Sequence, residues 1–170
     1  MKKLFIYGLL LFGFSSVLTS CMPKDDLVYT GPAVAEFKNH LFGKVAASIP
    51  VGVVTGATNV VLGRRIRVTT RVTDTIYVQL VGPQFTAATT LPFTIGAAST
   101  AIEGTHYNFV PAGARSVTIP ANSSVGYILT RPVATSITGT ATFPLILNLG
   151  STDQVKASEN YKTFTLTFAN

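Results

Sequence analysis

The sequence predicts an all-β chain that folds as a single antiparallel β-sandwich, and three observations indicate this class. Short runs rich in Val, Ile, Thr and Phe alternate apolar and polar residues, which is typical of strands with one buried face. Gly, Pro and Asn separate these runs and mark turns. No regular succession of helical and strand patterns points to a parallel sheet. We therefore expect two packed sheets around one core.

The first clear alternation spans residues 65–73, which we expect to form one strand. Its inward positions would be Ile66, Val68, Thr70 and Val72, and its outward positions Arg65, Arg67, Thr69, Arg71 and Thr73. Residues 75–81 predict the next strand, which ends at Gly82-Pro83 and has as its inward residues Ile76, Val78 and Leu80. A further short candidate covers residues 91–95.

The C-terminal half alternates more clearly still. Pro120 ends a short strand that buries Val117 and Ile119, and residues 125–130 follow as another. The next apolar face consists of Ala141, Phe143, Leu145, Leu147 and Leu149. The last strand would bury Phe164, Leu166 and Phe168. By contrast, residues 27–45 give no clear pattern, since helical spacing there is interrupted by Gly and Pro.

The N-terminus is typical of an exported protein. Lys2 and Lys3 precede an apolar run at residues 4–18, which is shorter than the roughly 20 residues of a spanning helix. This run ends in Leu18-Thr19-Ser20-Cys21, which resembles a bacterial lipobox, where a peptidase cuts before the cysteine and lipid is attached to it. An uncleaved anchor or an ordinary signal peptide is the alternative. We divide the chain into a signal peptide (1–20), a lipidated tether (21–30) and a sandwich domain (31–170).

The tether contains a second candidate targeting signal. Lys24-Asp25-Asp26 resembles the short lysine and acidic export signal of surface lipoproteins in Bacteroidota, although charged residues beside an anchor can also form a plain solvated linker. The resemblance implies an outer-membrane lipoprotein exposed at the cell surface. Cys21 is the only cysteine, so the domain has no internal disulfide. Two of the 13 basic residues belong to the signal peptide, and the modest remaining excess over 7 acidic residues does not indicate nucleic-acid binding.

A central motif carries a family resemblance. Thr100-Ala101-Ile102-Glu103-Gly104-Thr105-His106-Tyr107 reads as a turn at Gly104, after which Tyr107 would sit at the sandwich edge with its hydroxyl near backbone. With Val117-Thr118-Ile119-Pro120-Ala121-Asn122 it resembles Calx-beta-like domains, an immunoglobulin-like sandwich family, in which an aspartate is usual at His106 and a glycine near Asn122. Some members of that family bind calcium through clustered carboxylates, whereas Glu103 has no acidic neighbour in the motif.

No catalytic or cofactor constellation is evident. Hydrolases need a nucleophile, a base and an orienting group, and the two histidines, His40 and His106, lie near no such motif. We expect His106 to be a turn residue satisfied by backbone. The acidic residues are scattered, whereas glycosidases need a facing pair and metal sites need clusters. We expect a non-enzymatic protein without a cofactor.

Two groups of residues are candidate ligand contacts. Arg65, Arg67 and Arg71 could contact anionic sugars or phosphates, or could simply keep a strand face soluble. Tyr77 shares an outward face with Gln79 and could form part of an aromatic platform for sugars, which a chain without Trp must build from Tyr or Phe. Asp74-Thr75-Ile76 also resembles a short O-glycosylation motif of Bacteroidota.

The expected function is that of an accessory module in a surface uptake system, held in the membrane by the lipid on Cys21 and binding glycans or glycoproteins. Analogy with lipoproteins of similar build supports this expectation more than any one residue does. The alternative is a structural or adhesive subunit that contacts another protein, for example by adding a strand to a partner sheet. Sugar binding that depends on exposed tyrosines would distinguish the first from the second.

Overall fold

The structure, a computed structural model, describes residues 29, 31–38, 63–70, 72–134 and 136–170. The predicted signal peptide, Cys21 and the Lys24-Asp25-Asp26 motif lie outside the described residues, as do His40 and Arg71. Within the described ranges no helix is long and apolar enough to cross a membrane. The strands there are β1 (Val34–Phe37), β2 (Gly63–Arg67), β3 (Asp74–Val81), β4 (Thr89–Ile95), β5 (Tyr107–Val110), β6 (Ser116–Ile119), β7 (Val125–Pro132), β8 (Thr142–Leu149), β9 (Lys156–Ala157) and β10 (Thr163–Ala169).

The described strands form two sheets, and the all-β sandwich predicted from the sequence is confirmed. The first sheet has the order β5-β7-β3-β1-β9 and the second the order β2-β10-β8-β4-β6. Most neighbours are antiparallel, but β1 runs parallel to β9 and β2 runs parallel to β10. Both parallel pairs include an edge strand. The core lies between the two sheets and is built from the apolar alternate residues of both.

The strands with the cleanest alternation are those that the sequence predicted best. In β3 the side chains of Ile76, Val78 and Leu80 are buried, and in β10 those of Phe164, Leu166 and Phe168 are buried. In β8 the predicted apolar face is buried from Leu145 onward, whereas Ala141 precedes the strand and is exposed. Alternation therefore identified the buried face of β3, of β10 and of most of β8.

The prediction of one strand over residues 65–73 was wrong. Strand β2 ends at Arg67, and a short 3-10 helix follows at Val68–Thr70. Here the chain leaves the edge of the second sheet to begin β3 in the first, and the fully buried Val68 anchors the crossing in the core. Val72, predicted to face inward, is 67% exposed because it lies after this crossing. The apolar spacing of the crossing imitates a strand although the backbone turns.

Tyr107 lies on β5, an edge strand of the first sheet, as predicted, but its hydroxyl does not contact the backbone as expected. Tyr107 begins β5 and is fully buried, with its ring stacked on Phe168 at 5.2 Å between centroids and edge-on to Phe109 at 5.2 Å. Its hydroxyl finds no hydrogen-bond partner among the described residues. Burial, with a further contribution from the charge of Glu103, raises the pKa of Tyr107 to about 12. Strand parity explains the position, since Tyr107 and Phe109 share the inward face of β5.

Two backbone positions shape the side of the sandwich at which β6 approaches β7. Asn122, in the turn after β6, has φ of 54°, a left-handed conformation that asparagine tolerates and glycine adopts freely. At Gly126 in β7, a Cβ atom would lie 2.7 Å from the carbonyl oxygen of Thr118. The close approach of β6 to β7 therefore depends on a residue without a side chain.

Candidate binding surface

The structure separates the predicted ligand contacts onto two opposite faces of the sandwich. Arg65 and Arg67 are exposed on the outward face of β2, at the edge of the second sheet. Tyr77 lies on the outward face of β3, in the first sheet. The two groups therefore cannot contact one small ligand together, and each has to be considered by itself.

A second tyrosine lies directly beside Tyr77. Tyr127 on β7 is its cross-strand partner and is 58% exposed. Residues directly opposite on antiparallel strands have Cβ atoms about 5 Å apart, so the two rings share one patch of surface. Gln79 follows on the same face of β3, opposite Val125. We refer to Tyr77, Gln79 and Tyr127 as the tyrosine face.

An open groove of about 470 Å³ adjoins the tyrosine face and shares Tyr127 with it. It forms where β5 ends at Val110 and the chain crosses through residues 111–115 from the first sheet to β6 of the second. Its lining consists of Val110, Pro111, Ala114, Ser116, Thr118, Pro120, Tyr127, Ile128 and Leu129. This volume falls within the range of small-ligand sites. None of the lining side chains is charged, and we refer to this feature as the β5–β6 groove.

The polar groups of the groove are hydroxyls on β6. Thr118 and Ser116 point outward from this strand, and the Thr118 hydroxyl lies 3.0 Å from the hydroxyl of Thr90 on β4. The guanidinium of Arg115, one residue before Ser116, binds the Glu103 carboxylate at 2.9 Å and lies over the Phe109 ring at 5.1 Å. The charge nearest in sequence to the lining is therefore neutralised by a carboxylate.

The turn at Glu103 is connected to residues 113–115 by the Glu103 carboxylate. Gly104 has φ of 83°, which confirms the predicted turn. One oxygen of Glu103 accepts a hydrogen bond from the Gly113 N–H at 2.9 Å, and the other accepts from Arg115. Burial alone would raise the pKa of Glu103, but these hydrogen bonds and the charge of Arg115 lower it below its usual value. An arginine thus occupies the position beside this carboxylate that a cation would need, and the described residues contain no group of three potential metal ligands.

His106 is held by backbone, as predicted. Its Nδ1 accepts a hydrogen bond from the Ile102 N–H at 2.9 Å. The ring is 6% exposed and stacks on Phe143 with centroids 4.0 Å apart. The side chain therefore closes the Glu-Gly-Thr turn against the second sheet.

A cross-sheet ion pair lies beneath the start of β3. Arg64 on β2 reaches the first sheet, where its guanidinium binds the Asp74 carboxylate and the Thr75 carbonyl, and it lies 6.0 Å from the Phe164 ring centroid. Thr75, the centre of the possible glycosylation motif, is half-buried within β3 and pairs with Leu129. This arrangement connects the two sheets through a charged contact with little exposure.

Other carboxylates in the described part of the chain are also engaged by cations. Lys38 binds Glu36 at 2.8 Å, and Lys162 binds Glu159 at 2.7 Å. Together with the Arg64–Asp74 and Arg115–Glu103 pairs, these contacts place a cation beside four acidic side chains of the described residues.

Comparison with known proteins identifies the fold. The apo-form Calx CBD1 domain matches with a TM-score of 0.54 at 11% identity, and the match covers 82% of this chain and 97% of that one. CBD12 from CALX1.2 matches with a TM-score of 0.49 at 11% identity, and the match covers 63% of this chain and 40% of that one. A Bacteroides ovatus protein with carbohydrate binding as a suspected role gives 0.45 at 5% identity, covering 64% and 35%. The chain thus spans less than half of the last two. No family model and no curated protein matches it. The chain has a Calx-beta-like fold.

Proposed function

We propose that this protein is a non-catalytic, lipid-anchored module of the cell surface that binds glycans or glycoproteins for an uptake system, with the tyrosine face as its contact surface. The observation that carries the proposal is the placement of the 58% exposed Tyr127 directly opposite Tyr77. Exposure of an aromatic ring to water is unfavourable, so covering the ring with the apolar face of a ligand lowers the free energy.

The chemistry of this surface suits sugars. A pyranose ring offers a flat face of C–H groups that can stack on a tyrosine ring, while its hydroxyls remain available for hydrogen bonds. The tyrosine face provides two such rings with a polar amide, Gln79, on the same side of β3. Ligand sites of this kind combine apolar walls with a few placed polar groups. The outward face of the first sheet therefore supports glycan binding better than the arginine-bearing edge of the second.

The edge strands give less support to the alternative of strand addition to a partner protein. In the described part of the chain, the sheet edges are formed by strands of four and two residues in the first sheet and five and four in the second. Short edge strands offer few backbone groups to a partner. Two exposed arginines on β2 further discourage pairing there.

The binding proposal predicts that Tyr127→Ala weakens glycan affinity by about 30-fold or more, which is the effect of removing a central aromatic contact. Tyr77→Ala is expected to weaken it as well, and Tyr29→Ala is the matched control. Tyr29 is 45% exposed, and its hydroxyl donates a hydrogen bond to the Pro32 carbonyl. Its ring lies near Gly82, which follows the C-terminal end of β3. Titration of a glycan identified by array screening, with the full-length protein in detergent micelles, measures the three affinities. Equal affinities in all three variants would contradict the proposal.

The anchoring proposal rests on the sequence motifs at the N-terminus. Cys21→Ser is expected to release the protein from the membrane fraction, because no lipid can then be attached. Replacement of Lys24, Asp25 and Asp26 together by alanine is expected to leave the protein in the membrane but protect it from protease added to whole cells. Fractionation and protease shaving measure both effects. A membrane-bound Cys21→Ser protein would contradict lipidation, and a triple variant that is still digested would contradict the export signal.

A further inference from the structure

We infer that the β5–β6 groove is the specificity subsite of this binding surface and that it selects uncharged glycans over anionic ones. This inference rests on the proposed function and adds to it the chemical class of the ligand. It differs from the possibility, drawn from the arginine-rich strand, that the protein contacts anionic sugars or phosphates. The argument starts from the walls of the groove and then considers the charges around it.

The walls offer no partner for a charge. Six of the lining residues have only apolar side chains, and the polar side chains are the hydroxyls of Ser116, Thr118 and Tyr127. A carboxylate or sulfate that entered would lose hydration without gaining a cation, which is a large cost. A neutral sugar that enters loses only the hydration of its hydroxyl groups. The hydroxyls of the groove can replace that hydration, because each can both donate a hydrogen bond to a sugar hydroxyl and accept one from it.

The cations that could have compensated an anionic ligand lie elsewhere. Arg115 is next to the lining in sequence, but its guanidinium is held by Glu103 and covers the Phe109 ring. Arg65 and Arg67 project from the outward face of the second sheet, at the edge opposite to the one formed by β6. Arg131 is exposed on the outward face of β7 two residues beyond Leu129, but its Nε donates to the Thr73 hydroxyl at 3.3 Å, and no Arg or Lys is among the residues that line the groove.

The Thr118 hydroxyl on β6 is held in position at the groove. Thr118 is fixed by its strand pairing with Thr90, and their hydroxyl oxygens lie 3.0 Å apart. Gly126 allows β6 to lie against β7, which brings Thr118 to the same groove as the Tyr127 ring. A sugar stacked on Tyr127 can therefore present its ring hydroxyls to Thr118 and Ser116. The groove supplies both the apolar and the polar half of saccharide recognition.

The test compares neutral oligosaccharides with uronate-containing and sulfated oligosaccharides of matched length, titrated against the full-length protein in detergent micelles at low and high salt. We expect neutral ligands to bind about tenfold more tightly or better, with an affinity that does not change with salt. Thr118→Val is expected to weaken binding about fivefold, since it removes one hydroxyl and keeps the shape. The matched control is Thr94→Val, an exposed threonine on β4 of the same sheet outside the groove lining.

The outcomes separate this inference from the function it rests on. Preference for anionic ligands with strong salt dependence, together with loss of binding in Tyr127→Ala, would overturn the selection of neutral glycans and leave the proposed function standing. Equal affinities of Thr118→Val and Thr94→Val would overturn the role of the groove alone. Binding of proline-rich peptides but of no oligosaccharide, by a chain shown to be folded, would overturn both.

Discussion

Replacement of Tyr107 by alanine is expected to lower the free energy of unfolding by about 4 kcal/mol, whereas replacement by phenylalanine is expected to leave it unchanged or to raise it. The first variant leaves a cavity between the two sheets, where the ring contacts Phe109 and Phe168. The second keeps this packing and removes a hydroxyl that has no partner among the described residues. The pair of variants thus separates the ring from its polar atom.

The pH dependence of stability provides an independent measurement at the same residue. Burial raises the pKa of Tyr107 to about 12, above the ordinary value of 10.0. The unfolded chain therefore releases this proton first as the pH rises. The contribution of protonated Tyr107 to the free energy of unfolding is fully present below about pH 10 and is lost as the pH approaches 12. In urea unfolding experiments, Tyr107→Phe should lack this alkaline loss. A cost of more than about 1 kcal/mol for Tyr107→Phe at neutral pH would show that the hydroxyl is hydrogen-bonded.

The second large effect is expected at the cross-sheet ion pair. Asp74→Ala should lower the free energy of unfolding by about 3 kcal/mol, because it leaves the largely buried guanidinium of Arg64 without its carboxylate. The matched control is Asp153→Ala, which changes an exposed aspartate and should cost less than about 0.5 kcal/mol.

A double variant tests whether the loss comes from the stranded charge. Arg64→Met combined with Asp74→Leu should recover most of the stability, since apolar side chains of similar volume can replace a buried ion pair at little cost. Urea unfolding at neutral pH measures each variant. If Asp74→Ala were no more destabilising than Asp153→Ala, the ion pair would contribute nothing to holding the sheets together.

Sequence reasoning identified the fold where strands were long and alternated. It found β3, β4, β7, β8 and β10, which have seven or eight residues each, and the four-residue β6, but it found neither β1 and β5, with four, nor β9, with two. Two to four residues show at most two alternations, and β6 was found because Pro120 marks its end. The prediction of one continuous strand over residues 65–73 was wrong because the alternating pattern there is longer than the strand. The buried Val68 continues the pattern although the backbone turns at this residue.

The candidate site was only half predictable. Alternation placed Tyr77 on an outward face, but it could not show that Tyr127 lies opposite, because a pattern fixes which face a residue occupies and not which strand is its neighbour. For the same reason, alternation could not show that the arginines of β2 lie in the other sheet from Tyr77. The β5–β6 groove depends on the crossing between sheets at residues 111–115, which no local pattern encodes.

Tyrosine nitration on the full-length protein, with and without a saturating glycan, tests the central claim most directly. Tyr127 and Tyr29 are both exposed enough to react, and Tyr29 lies beside Gly82, away from the β5–β6 groove. Mass spectrometry of the peptides should show that the glycan protects Tyr127 from nitration and leaves Tyr29 as reactive as before. If the glycan is bound and both tyrosines react at unchanged rates, the ligand occupies another surface and the tyrosine face is not the site.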